Sequence, residues 1–329
     1  MLETPSHSPA RGCPKPLIRR ANLSFLLTLI IASAHAQCPP PSPPGEITID
    51  NVHNGDFGYY NGSVGPYWNY LNVWDPPING SSYSTTIRNC PSTYPKGTVI
   101  SWSFPDYLNG TSNVYGYPDI VFGILGGGYP PTPANIPTPI QLDSLPSDFS
   151  LTYNITLNAN CDYQDVLIDT WPTTVPNPRN PSTNDTRTNE IGFMAHVPSY
   201  TLRYLLSLPN HIDYSVDGFN AYIVTVPYRP PFTVMIPVTT RGGTTPVDMT
   251  SGTYTIPFGA LLSFLTTQGI LNPKNYITGY QFGFEIGRGT GSVTINQLQV
   301  ALEIVCVNIG AIYSFHRHDL VDRILNILM

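Results

Sequence analysis

Apolar and polar residues alternate with a period of two along most of the chain, the pattern of strands that bury one face and expose the other. Runs of this kind cover Thr98–Phe104, Phe149–Leu157, Val166–Trp171, Ile191–Val197, Ala221–Val226, Thr233–Pro237, Tyr276–Ile286 and Val293–Val307, separated by Gly, Pro, Asn and Asp. One segment has another period. From Pro257 to Gln268 the residues Phe258, Leu261, Leu262 and Leu265 fall at i, i+3, i+4 and i+7, which predicts a helix, with proline in its first turn and Gly269 just past its end. No repeat or interior linker interrupts the texture between Glu46 and Ile309, so one domain is expected there. Many short strands with a single short helix are best housed in an all-β fold of two packed antiparallel sheets; a jelly-roll sandwich or a barrel would both suit.

The same alternation assigns faces to the acidic residues. Glutamate is scarce: beyond Glu46 the chain has only Glu190, Glu285 and Glu303. Around Glu190, residues Ile191, Phe193, Ala195 and Val197 point to the core, leaving Glu190, Gly192, Met194 and His196 on the other face. Around Glu285, residues Tyr280, Phe282, Phe284 and Ile286 share one face, and Gln281, Gly283 and Glu285 the other. A glycine two residues from each glutamate is expected to leave open space beside the carboxylate. The run Val166–Trp171 puts Asp165, Leu167, Asp169 and Trp171 on one face, whereas Glu303 shares its face with Gln297 and Gln299 and reads as solvated. Two glutamates, an aspartate and tryptophans suit a sugar-binding groove. Glycoside hydrolysis needs one carboxylic acid to protonate the leaving oxygen and a second carboxylate to attack or to activate water. Polar residues on a solvent face are the plainer reading of the same pattern.

Composition narrows the class. Thirty-five prolines, 27 glycines and 21 tyrosines agree with short strands and tight turns. Charged residues make up 11% of the 329-residue chain, only three are lysine, and the formal net charge is −6, so the basic stripe of a nucleic-acid binder is missing. The N-terminus predicts export. Arg19-Arg20 precedes the apolar run Leu23–Ala32 and then Ala34-His35-Ala36, the layout of a secretory signal peptide over residues 1–36. The apolar run is shorter than the roughly 20 residues that span a bilayer, so no membrane partner is expected after its removal. Residues 37–45 read as a stiff Pro-rich spacer, 46–309 as the functional domain, and 310–329 as a tail of unassigned role. Loss of Cys13 leaves Cys38, Cys90, Cys161 and Cys306, an even set expected to form two disulfides with the pairing open. No Cys-x-x-Cys pair accompanies them, and neither metal nor cofactor is expected. Asn61, Asn79, Asn109, Asn154 and Asn184 stand in glycosylation sequons.

The motifs themselves point to a family. The stretch from Tyr280 to Ser292 (YQFGFEIGRGTGS) resembles the Y-Q-F-G-T-E-P-F-T-G-S segment of glycoside hydrolase family 12, the small cellulases and xyloglucan-specific endoglucanases. Asn189–Ala195 (NEIGFMA) resembles the family's Y-E-L-M-I-W-L strand, and Val166–Trp171 (VLIDTW) its V-A-Y-D-L-F strand. Asn72-Val73-Trp74 is similar to an N-L-W element, Gly116–Gly123 to the S-Y-P-N segment that follows a Trp strand, here Ser101–Ser103, and Val216–Tyr222 to the G-G-x-x-W-x-L-Y strand. These matches keep the family's order over residues 50–307, and the helix falls where the family has its only one.

The resemblance implies a concanavalin A-like jelly-roll sandwich and a secreted, monomeric retaining endo-β-1,4-glucanase acting on cellulose, mixed-linkage glucan or xyloglucan. It implies Glu190 as nucleophile, Glu285 as general acid/base and Asp169 as the partner that orients the nucleophile. For substrate binding it implies Asn72, Trp74, Trp102, Tyr117 and Pro118; Met194, His196 and Gln281 share faces with the carboxylates and join that set. Three departures stand out: Gly192 replaces a Met, Met194 replaces a sugar-stacking Trp, and Ile286–Gly289 replaces P-F. They favour, as the alternative, a glucan-binding lectin-like protein of weak activity.

Overall fold

Alternating strands close into two face-packed sheets in the computed structural model, which describes residues 47–60, 67–75, 82–90, 93–104, 114–124, 139–161, 164–176 and 186–301. The expected signal peptide, spacer and tail, with Cys38, Cys306, Glu303 and four of the sequons, lie outside the described residues. One sheet has six strands in the order β1 (Ile47–Asp50), β4 (Ser84–Asn89), β5 (Val99–Phe104), β17 (Gly289–Ala301), β8 (Ser150–Cys161) and β14 (Thr253–Ile256). The other has nine: β11 (Ile212–Val216), β12 (Phe219–Val226), β13 (Phe232–Pro237), β10 (Glu190–His196), β9 (Val166–Thr170), β16 (Gly279–Gly283), β6 (Asp119–Gly123), β3 (Tyr67–Tyr70) and β2 (Tyr59–Tyr60). A short ladder joins β7 (Ile140–Gln141) to β15 (Tyr276–Ile277). This is the expected all-β jelly-roll sandwich. Pairing is antiparallel except between β10 and β13, which run parallel and are joined by a 35-residue crossover (197–231) that includes a helix and two other strands.

The core fills the space between the sheets. Ile87, Ile100, Trp102, Ile155, Val293 and Ile295 enter it from the six-stranded sheet; Ile120, Ile168, Ile191, Phe193 and Phe282 enter from the nine-stranded one. Each such side chain contributes roughly 1.5–3 kcal/mol by leaving water. Rings meet at tilted, offset angles, with Tyr153–Phe282 centroids 5.0 Å apart and Phe149–Tyr280 5.2 Å apart.

Of the helices, α1 (Asn51–Asn54) is a single turn capped by Asp50, whose Oδ1 accepts the His53 N–H at 2.8 Å. The helix predicted from the 3.6-residue period is α3 (Phe258–Thr267), and its Phe258, Leu261, Leu262 and Leu265 are all buried. Gly269 ends it at φ 71°, donating to the Thr266 carbonyl at 3.0 Å. At Gly259 the helix touches the preceding loop so closely that a Cβ would meet the Pro146 carbonyl oxygen and the Ser147 backbone. Gly259→Ala is therefore expected to lower the thermal unfolding midpoint by about 3–10 °C, the effect of roughly 1–3 kcal/mol of overpacking against rigid backbone, as circular dichroism would read.

The structure departs from the sequence expectations in several places. A further helix, α2 (Ser199–Ser207), follows β10; its apolar pattern, Leu202, Leu205 and Leu206, is too short to register as a period. The run Tyr276–Ile286 breaks into β15, β16 and an extended stretch, because Tyr276 and Ile277 pair with β7 while the residues from Gly279 to Gly283 pair with β6. Val197 faces away from the main core, since the register of β10 slips between Met194 and His196. Cys90 is disulfide-bonded, but Cys161 carries a free thiol, so the expected pairing of all four cysteines fails there. Of the sequons, Asn154 is described: its Nδ2 donates to Thr253 Oγ1 at 2.9 Å, a cross-strand bond that an attached glycan would break.

Candidate active site

The carboxylates lie where alternation puts them, on the face of the nine-stranded sheet that looks away from the main core. Three central strands carry them. Gly192 of β10, Asp169 of β9 and Gln281 of β16 stand abreast, and Met194, Leu167 and Gly283 form the next row. Glu190 begins β10 at the Trp171 end of β9. Glu285 follows β16 and lies at the Asp165 end, where its amide donates to Asp165 Oδ1 at 3.0 Å and its carbonyl accepts the Asp165 N–H at 3.1 Å. Asp119 adjoins them on β6; its Oδ2 accepts Gln281 Nε2 at 2.8 Å and Asn72 Nδ2 at 3.4 Å. Tyr117 Oη donates to the Leu167 carbonyl at 2.8 Å, with the Gln281 carbonyl at 3.3 Å, and so bridges β9 and β16.

Burial and mutual repulsion set the charge state of this cluster. Removal from water pushes the Glu190 carboxyl up to about 8, the charge of Glu285 adds to the rise, and Arg187 partly offsets it. Arg187 lies over the Trp171 ring, 4.7 Å from its centroid. Asp169 is held well above the usual carboxylate range, first by burial and then by Glu190; hydrogen bonds from the Trp171 side chain and the Thr170 backbone act against this. Asp165 is raised by burial and by the adjacent Glu285 carboxyl, and Asp119 by burial. One oxygen each of Asp119, Asp165 and Asp169 is buried without a hydrogen-bond partner, as suits carboxyls that keep a proton.

A stability effect follows with a definite sign. Below about pH 4.5 Glu190 is protonated in folded and unfolded chains alike. Between there and about 8 only the unfolded chain releases the proton, so stability is lost as pH rises. Glutamine has no proton to lose. The unfolding midpoint of Glu190→Gln minus that of the parent is expected to grow by about 5 °C or more from pH 4.5 to pH 8. A difference that ignores pH would mean that Glu190 is not the strained group.

The structure gathers some of the expected binding residues and removes others. Asn72, at φ 48°, reaches Asp119, and Trp74, two residues on, is 42% exposed. Gln281, Tyr117 and Pro118 are buried, the Tyr117 ring lying over Gly283 on the outer face. Trp102 is not at the site. It lies in the core on the other sheet, its ring covering Gly291, because it shares the inward face of β5 with Ile100 and Phe104. Met194 is sealed in a second apolar cluster with Leu167, Val224, Val234 and Leu205. His196 is turned to Asp248, Nδ1 to Oδ1 3.2 Å. The expected open space beside the glutamates is also filled: a Cβ on Gly192 would strike the Phe232 ring and Leu167, and one on Gly283 would strike the Tyr117 ring and Asp119. The glycines admit neighbouring rings.

Sequence reasoning passed over Asp165, Asp119, Arg187, Phe232 and Tyr228. Asp165 was legible as sharing the face of Asp169; the others depend on which strands become neighbours. Among the described residues no group of three or more His, Cys, Asp and Glu side chains is arranged to hold a metal ion.

Solved structures share this two-sheet jelly roll. The chain has the fold of glycoside hydrolase family 12. It superimposes on a family 12 xyloglucanase from Bacillus licheniformis with a TM-score of 0.58 at 17% identity, covering 78% of this chain and 100% of that one. For endoglucanase 3 of Trichoderma harzianum, from the same family, the TM-score is 0.57 at 15% identity, with coverage of 80% and 100%. For an endoglucanase from Rhodothermus marinus it is 0.53 at 17%, with coverage of 78% and 100%. No protein-family model and no curated protein matches the sequence.

Proposed function

We propose that the chain is a divergent family 12 glycoside hydrolase, a secreted retaining endo-β-1,4-glucanase. The observation that carries this reading is the carboxyl pair: Glu190 and Glu285, on the outer face of the larger sheet, are close enough for the charge of one to raise the other. Double displacement needs one carboxyl ionised and one protonated at the same moment. Two repelling carboxyls in a half-buried site share a single proton over a wide pH range, and the macroscopic values belong to the pair. In the working form the shared proton moves from Glu190 to Glu285, so that Glu190 attacks the anomeric carbon as a carboxylate and Glu285 gives the proton to the leaving oxygen. Glu285 then takes a proton from water as the glycosyl–enzyme bond is broken. Asp169, between them on β9, feels both charges and tunes Glu190. The substrate is a neutral β-1,4-glucan of the plant cell-wall type, and no metal or cofactor takes part.

One observation favours a second reading, a lectin-like glucan binder of weak activity. The position abreast of Asp169 is Gly192, covered by Phe232, so Asp169 meets Glu190 diagonally rather than side by side. Reducing-sugar release from carboxymethylcellulose, barley β-glucan and tamarind xyloglucan separates the two. Release that disappears in Glu190→Gln supports the hydrolase; binding to the polymers without such release supports the lectin; neither binding nor release rejects both.

A further inference from the structure

The turn joining β12 to β13 lies against the start of the Glu190 strand. The Glu190 amide donates to the Pro231 carbonyl at 2.8 Å, and Phe232 stands directly abreast of Glu190. Tyr228 occupies that turn, held by its N–H to the Val226 carbonyl at 2.8 Å, and is 58% exposed. Burial raises its phenol, and the Tyr204 hydroxyl and then the Glu190 and Glu285 carboxyls add to the rise, so all three lie within electrostatic reach of it. Tyr204 comes from α2 and is 43% exposed. That helix is pinned by its inner side: Leu205 is buried against the cluster that holds Val226, Val234 and Met194, and Leu202 and Leu206 pack on the same cluster.

Two tyrosines from separate elements are thus anchored by buried neighbours while their own rings stay in water beside the carboxyl pair. Packing does not account for them, because neither ring belongs to either apolar cluster. Their shape does suit a sugar. A pyranose has an apolar face of C–H groups rimmed by hydroxyls, and a phenol has an apolar ring with one hydroxyl at its edge. The acidic surroundings disfavour an anionic ligand. Because α2 and its apolar cluster cover the sheet on this side, a polymer leaving the carboxyl pair here must pass over the tyrosines.

We propose that Tyr204 and Tyr228 form a sugar-binding subsite that takes a neutral β-linked glucosyl unit next to the one held at Glu190 and Glu285. The subsite rests on the glucanase reading and adds the residues that grip the polymer beyond the cleaved bond. The test uses the full chain with Glu285→Gln to stop turnover, titrated calorimetrically with cello-oligosaccharides from disaccharide to hexasaccharide. Adding Tyr228→Ala or Tyr204→Ala is expected to weaken the hexasaccharide about five- to tenfold, the loss of one aromatic contact, and to leave the disaccharide unchanged. Tyr228→Phe keeps the ring and is expected to retain most of the affinity. Unchanged hexasaccharide binding, or equal weakening at every length, overturns the subsite while leaving the glucanase reading in place. Failure of the Glu285→Gln protein to bind any oligosaccharide, with no sugar release by the parent, removes that reading and the subsite with it.

Discussion

Glu190→Gln is expected to slow reducing-sugar release from β-glucan by about a thousandfold or more, the scale of losing a group that takes part directly in bond making. Glutamine matches glutamate in volume and keeps one oxygen, so the start of β10, its bond to the Pro231 carbonyl and the contact with Phe232 all survive. What disappears is the ionisable oxygen. An amide cannot form the glycosyl ester, nor hold a charge that pairs with a proton on Glu285. The variant should also be no less stable than the parent at neutral pH, because it relieves a carboxyl that burial pushes up to about 8. Loss of activity with a retained or raised unfolding midpoint therefore identifies chemistry rather than misfolding. Activity within tenfold of the parent would take Glu190 out of the mechanism.

Asp169→Asn is the second large effect, an expected fall of about a hundredfold in kcat with little change in KM. Asp169 is buried in the floor and cannot touch a polymer, so ground-state binding should be spared. Its influence passes through charge. It is the titratable group on β9 that feels both Glu190 and Glu285, and it is raised more by the former. Diagonal neighbours on adjacent strands lie about 7–8 Å apart, within reach of a strong interaction at low dielectric. Asparagine preserves the volume and a hydrogen-bonding oxygen but removes the proton exchange that tunes Glu190. Turnover near that of the parent would assign Asp169 to structure alone.

Much of the fold was legible because alternation is a local property. Ile191, Phe193 and Ala195 on β10 and Tyr280, Phe282 and Phe284 near β16 point inward as their period requires, which leaves Glu190 and Glu285 outward. Helix α3 was legible for the same reason, since four apolar residues at helical spacing have one shared face. The misreadings concern what covers a face. Alternation says that Gly192 and Gly283 look outward, but not that Phe232 and Tyr117 arrive from other strands to fill the space. Met194 is outward too, yet α2 brings Leu205 down upon it. Trp102 shows the reverse error. The resemblance placed it with the substrate, while its own period, shared with Ile100 and Phe104, already placed it inside. The parallel pairing of β10 with β13 has no local signature, and with it the approach of the Tyr228 turn to Glu190 stayed hidden.

A covalent glycosyl–enzyme bond is what sets the retaining mechanism apart. Incubation with a 2-deoxy-2-fluoro-β-cellobioside carrying a good leaving group should trap the glycosyl–enzyme, because the fluorine slows breakdown more than formation once a strong leaving group is supplied. Intact-mass spectrometry is expected to show one added disaccharide, and peptide mapping to place it on Glu190. A label on Glu285 would exchange the two roles, and an enzyme that hydrolyses β-glucan yet takes no label would contradict the retaining mechanism.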